Sequence, residues 1–134
     1  PDNIKIGIAC AVQIFNIKHL TDFAKWIIKQ NFKKINKFKI DKHIAGGGIM
    51  NMHMLYIPTY LSARILSKAD KELLSKEFVN FKDWLWSNYT QDDDFWNNNP
   101  NGWKRWESIL KFVNEEDHSL GPSAVPIARP EDMP

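Results

Sequence analysis

The side chains best equipped for chemistry are few and scattered: one thiol at Cys10, imidazoles at His19, His43 and His53, and carboxylates grouped at Asp92, Asp93 and Asp94. A cysteine attacks as its thiolate, which needs a nearby base or cation. Cys10 instead sits in the run Ala9, Cys10, Ala11, Val12 and reads as a small buried hydrophobe. His43 and His53 flank three glycines at 46–48, so a fold-back there would bring two imidazoles together, with His19 or Asp41 completing a metal site. No His-x₃-His pair reinforces that set, and an isolated strand histidine is ordinarily a hydrogen-bonded residue. The three aspartates, followed by Asn97, Asn98 and Asn99, offer hard oxygen ligands. They lack the Gly and terminal Glu of an EF-hand loop and read as a solvated turn. The glycines lack both the Lys-Ser/Thr continuation of a P-loop and the spacing of a dinucleotide fingerprint. Met50, Met52 and Met54 alternate on one strand face, as core filling or as a pliable ligand wall. Trp84, Trp86, Trp96, Trp103 and Trp106 could stack on sugars or bases, but the helical apolar spacing behind most of them favours core packing.

The elements that must position these groups follow from periodicity. Residues 4–15 alternate and then run nearly unbroken in apolar residues, which predicts a strand buried on both faces, as in a parallel sheet covered by helices. Thr21 is placed as an N-cap, with Asp22 in the first turn, for a helix to about Gln30 that buries Phe23, Ile27 and Trp26 or Ile28 and leaves Lys25 and Lys29 outside. A second β-like stretch covers residues 38–44, is interrupted by the glycines and resumes over 49–57. Strand, helix, strand is the βαβ signature, which places ligand sites at the carboxyl ends of parallel strands. Ser67 and Asp70 have capping-box spacing and introduce a long helix to about Tyr89, with Leu74, Phe78, Phe81 and Leu85 as its apolar stripe. Pro100 or Gly102 opens a last helix in which Trp103, Trp106, Leu110 and Val113 recur, stopping at residues 115–117. Residues 1–120 form an α/β unit on this reading, and 121–134, punctuated by Pro122, Pro126, Pro130 and Pro134, an extended Pro-rich tail laid across the surface.

Composition narrows the function classes. The chain has 134 residues, 43% hydrophobic and 25% charged, the balance of one soluble domain. Six Trp argue against disorder, and a lone Cys excludes a disulfide scaffold and suggests a reduced, cytoplasmic setting. No apolar run approaches the roughly 18 residues that span a bilayer. The first residue is Pro1, which suggests a piece of a longer chain. Residues 1–45 carry nine Lys against three acidic residues, and residues 91–134 carry nine acidic residues against four basic ones. An anion or nucleic-acid surface around Lys29, Lys33, Lys34, Lys37, Lys39 and Lys42 is one reading of that gradient. The basic residues are interleaved with apolar ones, which favours the other, solvated faces of opposite sign.

Two stretches resemble a known family. Val12-Gln13-Ile14-Phe15-Asn16-Ile17, followed by Leu20-Thr21-Asp22-Phe23 and the helix to Trp26, resembles the late strand-and-helix unit of radical S-adenosylmethionine proteins that carry a twitch-type auxiliary-cluster region. Met54-Leu55-Tyr56-Ile57-Pro58-Thr59-Tyr60-Leu61-Ser62, leading through Ile65-Leu66 into a Lys-rich helix, is similar to the next strand and its exit. Together they span about residues 1–85. The resemblance implies the distal part of a partial (β/α) barrel with its active site at the strands' carboxyl ends. It also implies S-adenosylmethionine and a [4Fe–4S] cluster for a complete family member. That cluster needs Cys-x₃-Cys-x₂-Cys, and a chain with Cys10 alone binds none of it, so catalysis by this chain in isolation is excluded on this reading. The triple glycine, Ser67 where the family usually has Pro, and the Pro-rich tail depart from the pattern. The implied cofactor-contacting residues are Gln13, Asn16 and His53, with Tyr56 and Tyr60 toward substrate; Asn16 has the further reading of tying down the strand-to-helix turn. The implied partner is the remainder of a longer chain, or a protein covering the sheet edge, with no membrane. A noncatalytic interaction module using the Trp-rich helices and Pro-rich tail is the reading from a different class, and a small nucleic-acid binder a weaker third.

Overall fold

The computed structural model describes residues 6–35, 37–39 and 48–115, with Tyr60 through its backbone. The chain is mixed α/β. Strands β1 (Ala9–Val12) and β2 (Asn51–Met54) pair in parallel, with Ala9 opposite Asn51 and Val12 opposite Met54, and helix α1 (Leu20–Gln30) lies between them in sequence. Helices α2 (Lys68–Asn88) and α3 (Trp103–Asn114) follow. The βαβ order read from the patterning is therefore present, with shorter strands than the apolar runs suggest.

The expectation that β1 is buried on both faces is corrected. Val12 and Met52 are buried, and Ile8, Cys10 and Met54 pack against the same core, which α1 enters through Ala24, Ile27 and Ile28. On the opposite face Ala9, Ala11 and His53 are exposed and Asn51 is half-buried. Strand side chains alternate between faces, so one side of this sheet packs into the core that α1, α2 and α3 share and the other is exposed.

Helix α1 ends at Gln30 as expected but differs at its start and in the face it buries. A 3₁₀ turn, Ile17–His19, runs straight into Leu20, so His19 takes the N-cap position and Thr21 is buried inside the first turn. The inward face is Leu20, Ala24, Ile27 and Ile28 together, which turns Phe23 and Trp26 outward. Asn31 ends the helix in the left-handed region at φ 51°, a conformation Asn tolerates better than most residues. Of the second β-like stretch, Phe38 and Lys39 form a bend and residues 40–47 lie outside the described residues, as do 116–134 with the Pro-rich tail.

The helical layer follows its sequence pattern more closely. Ser67 caps α2, its Oγ accepting from the Asp70 N–H at 3.1 Å, and Leu74, Phe78, Phe81 and Leu85 are all buried. Trp106, fully buried, meets Phe78 and Phe81 with ring centroids 5.6 and 4.8 Å apart, which joins α2 to α3. Burying side chains of this size contributes about 1.5–3 kcal/mol each. Gly102 is the N-cap of α3. The polar stretch before it is not a simple solvated turn: Asp94–Asn98 form one turn of π-helix that buries Phe95 and Trp96, while its carboxylates accept from nearby amides.

One ion pair makes the seam between sheet and helices pH-sensitive. Lys18 reaches Asp70 at 3.0 Å, and that hydrogen bond, with the Ser67 hydroxyl, holds the Asp70 carboxyl below its ordinary range. A lowered carboxyl favours the folded state at neutral pH and loses that effect as pH falls through the carboxylate range. Asp70→Asn should therefore flatten the acid side of the stability profile, read by thermal melts from pH 7 to pH 3.

Candidate functional site

The two strand exits lie at the same end of the parallel pair, and their backbones are tied together. The Leu55 N–H donates to the Val12 carbonyl at 2.8 Å, and the Ile14 N–H donates to the Leu61 carbonyl at 2.9 Å. The peptide groups of Ile8 and Val12 thus point to β2. By the two-residue period those of Ala9 and Ala11 point to the outer edge of β1, which has no strand partner among the described residues.

Asn16 organises the exit of β1. Its Oδ1 accepts from the Gln13 N–H at 2.9 Å and its Nδ2 donates to the Ala11 carbonyl at 2.7 Å. Both ends of the amide are engaged by backbone, so this side chain closes the turn and covers one acceptor on the open edge. Loss of two such bonds costs about 1–3 kcal/mol. Asn16→Ala should lower stability by that amount, and Asn16→Asp should lose the Ala11 bond while keeping an acceptor for Gln13; urea midpoints of the two variants check this.

The other sequence-derived positions separate. Gln13 is half-buried at the β1 exit. His53 lies mid-strand on the bare face, opposite Ala11 in the register. Tyr56 follows β2, is exposed, and has its ring 6.4 Å from Phe112 of α3. Tyr60 falls in the 3₁₀ turn Thr59–Leu61, and its side chain is outside the described structure. His43 and Asp41 also lie outside the described residues, and no group of three His, Cys, Asp or Glu is gathered for a metal among the described ones.

Sequence reasoning missed Arg64. It sits in the 3₁₀ turn Ala63–Ile65, is only 8% exposed, and lays its guanidinium 3.9 Å from the centre of the Phe112 ring. Its Nε donates to the Phe112 carbonyl at 3.2 Å, and Nη2 forms an ion pair with Glu115, the C-cap of α3. The signal was available: a lone arginine inside Leu61-Ser62-Ala63-Arg64-Ile65-Leu66 is a charge in an apolar stretch, which folding must pair.

Cys10 has its thiol pushed up by partial burial, so it is protonated at neutral pH. Iodoacetamide should alkylate it at pH 7.5 several-fold more slowly than in the urea-unfolded chain, because only the thiolate reacts.

No protein family, curated protein or solved structure matches this chain. The geometry therefore stands alone: a parallel strand pair with one bare face, joined exits, and a half-polar rim of Gln13, Tyr56 and the Asn16-closed turn. Among the described residues no helix is long and apolar enough to cross a membrane.

Proposed function

We propose that this chain is the carboxyl-terminal scaffold and pocket-wall portion of a radical S-adenosylmethionine protein. The observation that carries the reading is the two-sided character of the β1–β2 pair. The core covers the Val12 and Met52 side, whereas small or polar residues, Ala9, Ala11, Asn51 and His53, occupy the bare side. In a partial (β/α) barrel those are the outer and inner surfaces, and both outer strand edges continue into neighbouring strands.

On this reading His53 faces the barrel interior, Gln13, Tyr56 and Tyr60 border its mouth, and Asn16 holds the turn that aims them. The chain's own thiol does not fit the [4Fe–4S] cluster. That site needs three closely spaced thiolates, and Cys10 is single, protonated and packed against the core. The chain accordingly takes no step in cluster chemistry and contributes shape and polar contacts to a pocket whose reactive part is supplied by other residues.

The test is the complete reading frame that contains this sequence. The expected result is an upstream Cys-x₃-Cys-x₂-Cys, a brown chromophore after anaerobic iron and sulfide reconstitution, and formation of 5′-deoxyadenosine from S-adenosylmethionine under reduction. A complete reading frame without that motif, whose purified product forms no chromophore, overturns the reading.

A further inference from the structure

The outward face of α1 carries a feature the pocket-wall reading does not use. Phe23 and Trp26, three residues apart and so on one helix face, stack with centroids 6.2 Å apart and planes 15° from parallel. The left-handed Asn31 then turns the chain so that Phe32 returns to Trp26 at 6.0 Å. The three rings form one continuous row, yet they are 40%, 51% and 40% exposed. Aromatic side chains contribute most when desolvated, so a contiguous exposed row of them marks an interaction surface. Its neighbours along the chain are basic: Lys29, whose Nζ also lies 5.9 Å from the Trp84 ring, and Lys33 are exposed, and Asp22 is the one acidic residue of α1.

We propose that this row binds residues 116–134 of the same chain, which lie outside the described structure, as a proline-rich ligand. Three arguments select that occupant. The first is chemistry, since a polyproline II segment presents preformed prolyl faces to aromatic rows, and this segment has prolines at 122, 126, 130 and 134. The second is charge: Glu116, Asp117, Glu131 and Asp132 stand against Arg129 alone and complement the lysine rim. The third is reach. From Glu115, held at the end of α3, an extended segment of this length covers about 60 Å, more than the roughly 35 Å width of a domain of this size.

The experiment uses the full chain. With Cys10→Ser and a nitroxide on Ala128→Cys, the Trp26 indole N–H signal should lose most of its intensity, at least five-fold. Pro126→Ala/Pro130→Ala in the same labelled chain should restore it. In the chain with native Cys10 and no label, the same two proline substitutions should shift the Trp26 indole resonance, a readout that needs no cysteine variant. Unchanged Trp26 intensity with the label and an unchanged resonance without it overturn the proposal. Attenuation seen only when labelled and unlabelled chains are mixed overturns it too, because the occupant is then a second copy.

Discussion

Replacing Gly48 by alanine is expected to destabilise the protein by about 3 kcal/mol or more, through two costs that add at one atom. Gly48 has φ 99°, a region that costs a residue with a Cβ about 1–3 kcal/mol. An alanine Cβ would also lie 2.1 Å from the Asn101 carbonyl oxygen and 2.9 Å from its carbon, against backbone rather than a side chain that could swing aside. Relieving such overpacking typically costs a further 1–3 kcal/mol or so. The contact matters because it seats the start of β2 against the turn that opens α3, so the strand pair and the helical layer share one backbone junction. Gly7 is the control: nothing lies within 4 Å of its added Cβ, and Gly7→Ala should change stability by less than about 1 kcal/mol. Urea unfolding of both variants, with an unchanged m-value and a lowered midpoint for Gly48→Ala alone, checks the pair. Equal midpoints would remove the junction from the account of the fold.

The triple glycine was conspicuous in the sequence, but its partner was not. Periodicity shows where apolar faces lie along one element, and it placed the α2 stripe of Leu74, Phe78, Phe81 and Leu85 and the βαβ order correctly. It could not tell that a backbone carbonyl 53 positions later would occupy the space over Gly48, because close approach between distant segments leaves no local pattern. The same limit explains α1. A helix with Phe23, Trp26, Ile27 and Ile28 has apolar residues on more than half its circumference, and only the position of the rest of the core, α2 included, selects Ala24, Ile27 and Ile28 as the inner face. For the candidate site, Gln13, Asn16 and Tyr56 were legible as residues following strands. Asn16 was legible too as a residue that ties down the strand-to-helix turn, and the structure adds its two backbone partners, Gln13 and Ala11. Arg64 was overlooked because a single charge has no periodicity, and its partners Phe112 and Glu115 come from an element nearly fifty residues away.

Arg64→Met should lower stability by about 2–3 kcal/mol while keeping most of the side-chain volume. Three interactions disappear together: the charge-assisted bond to the Phe112 carbonyl, the ion pair with Glu115 and the guanidinium lying on the Phe112 ring. A hydrogen bond to a charged group contributes about 1.5–3 kcal/mol, and a desolvated cation–π contact adds up to about 2 kcal/mol. Part of this is recovered because Glu115 is 37% exposed and regains water when its partner is removed, so the total falls short of the sum. The location sharpens the expectation, since the guanidinium adds a charged donor to a carbonyl in the last turn of α3 that otherwise accepts only a 3.3 Å bond from the Glu115 N–H, and a cation there also complements the helix dipole. Arg64→Lys keeps the charge but not the planar fork or the ring stacking and should lose about half as much. Glu115→Gln removes only the exposed partner of the ion pair and should cost less than about 1 kcal/mol. The order Arg64→Met, then Arg64→Lys, then Glu115→Gln in falling denaturation midpoint loss means that the carbonyl cap and ring contact dominate. A Glu115→Gln loss equal to that of Arg64→Met would instead assign the whole effect to the ion pair. Because Phe112 also meets Tyr56, the two Arg64 variants should increase the mobility of the Tyr56 ring at the β2 exit, seen as faster aromatic relaxation in NMR, whereas Glu115→Gln should leave that ring unchanged.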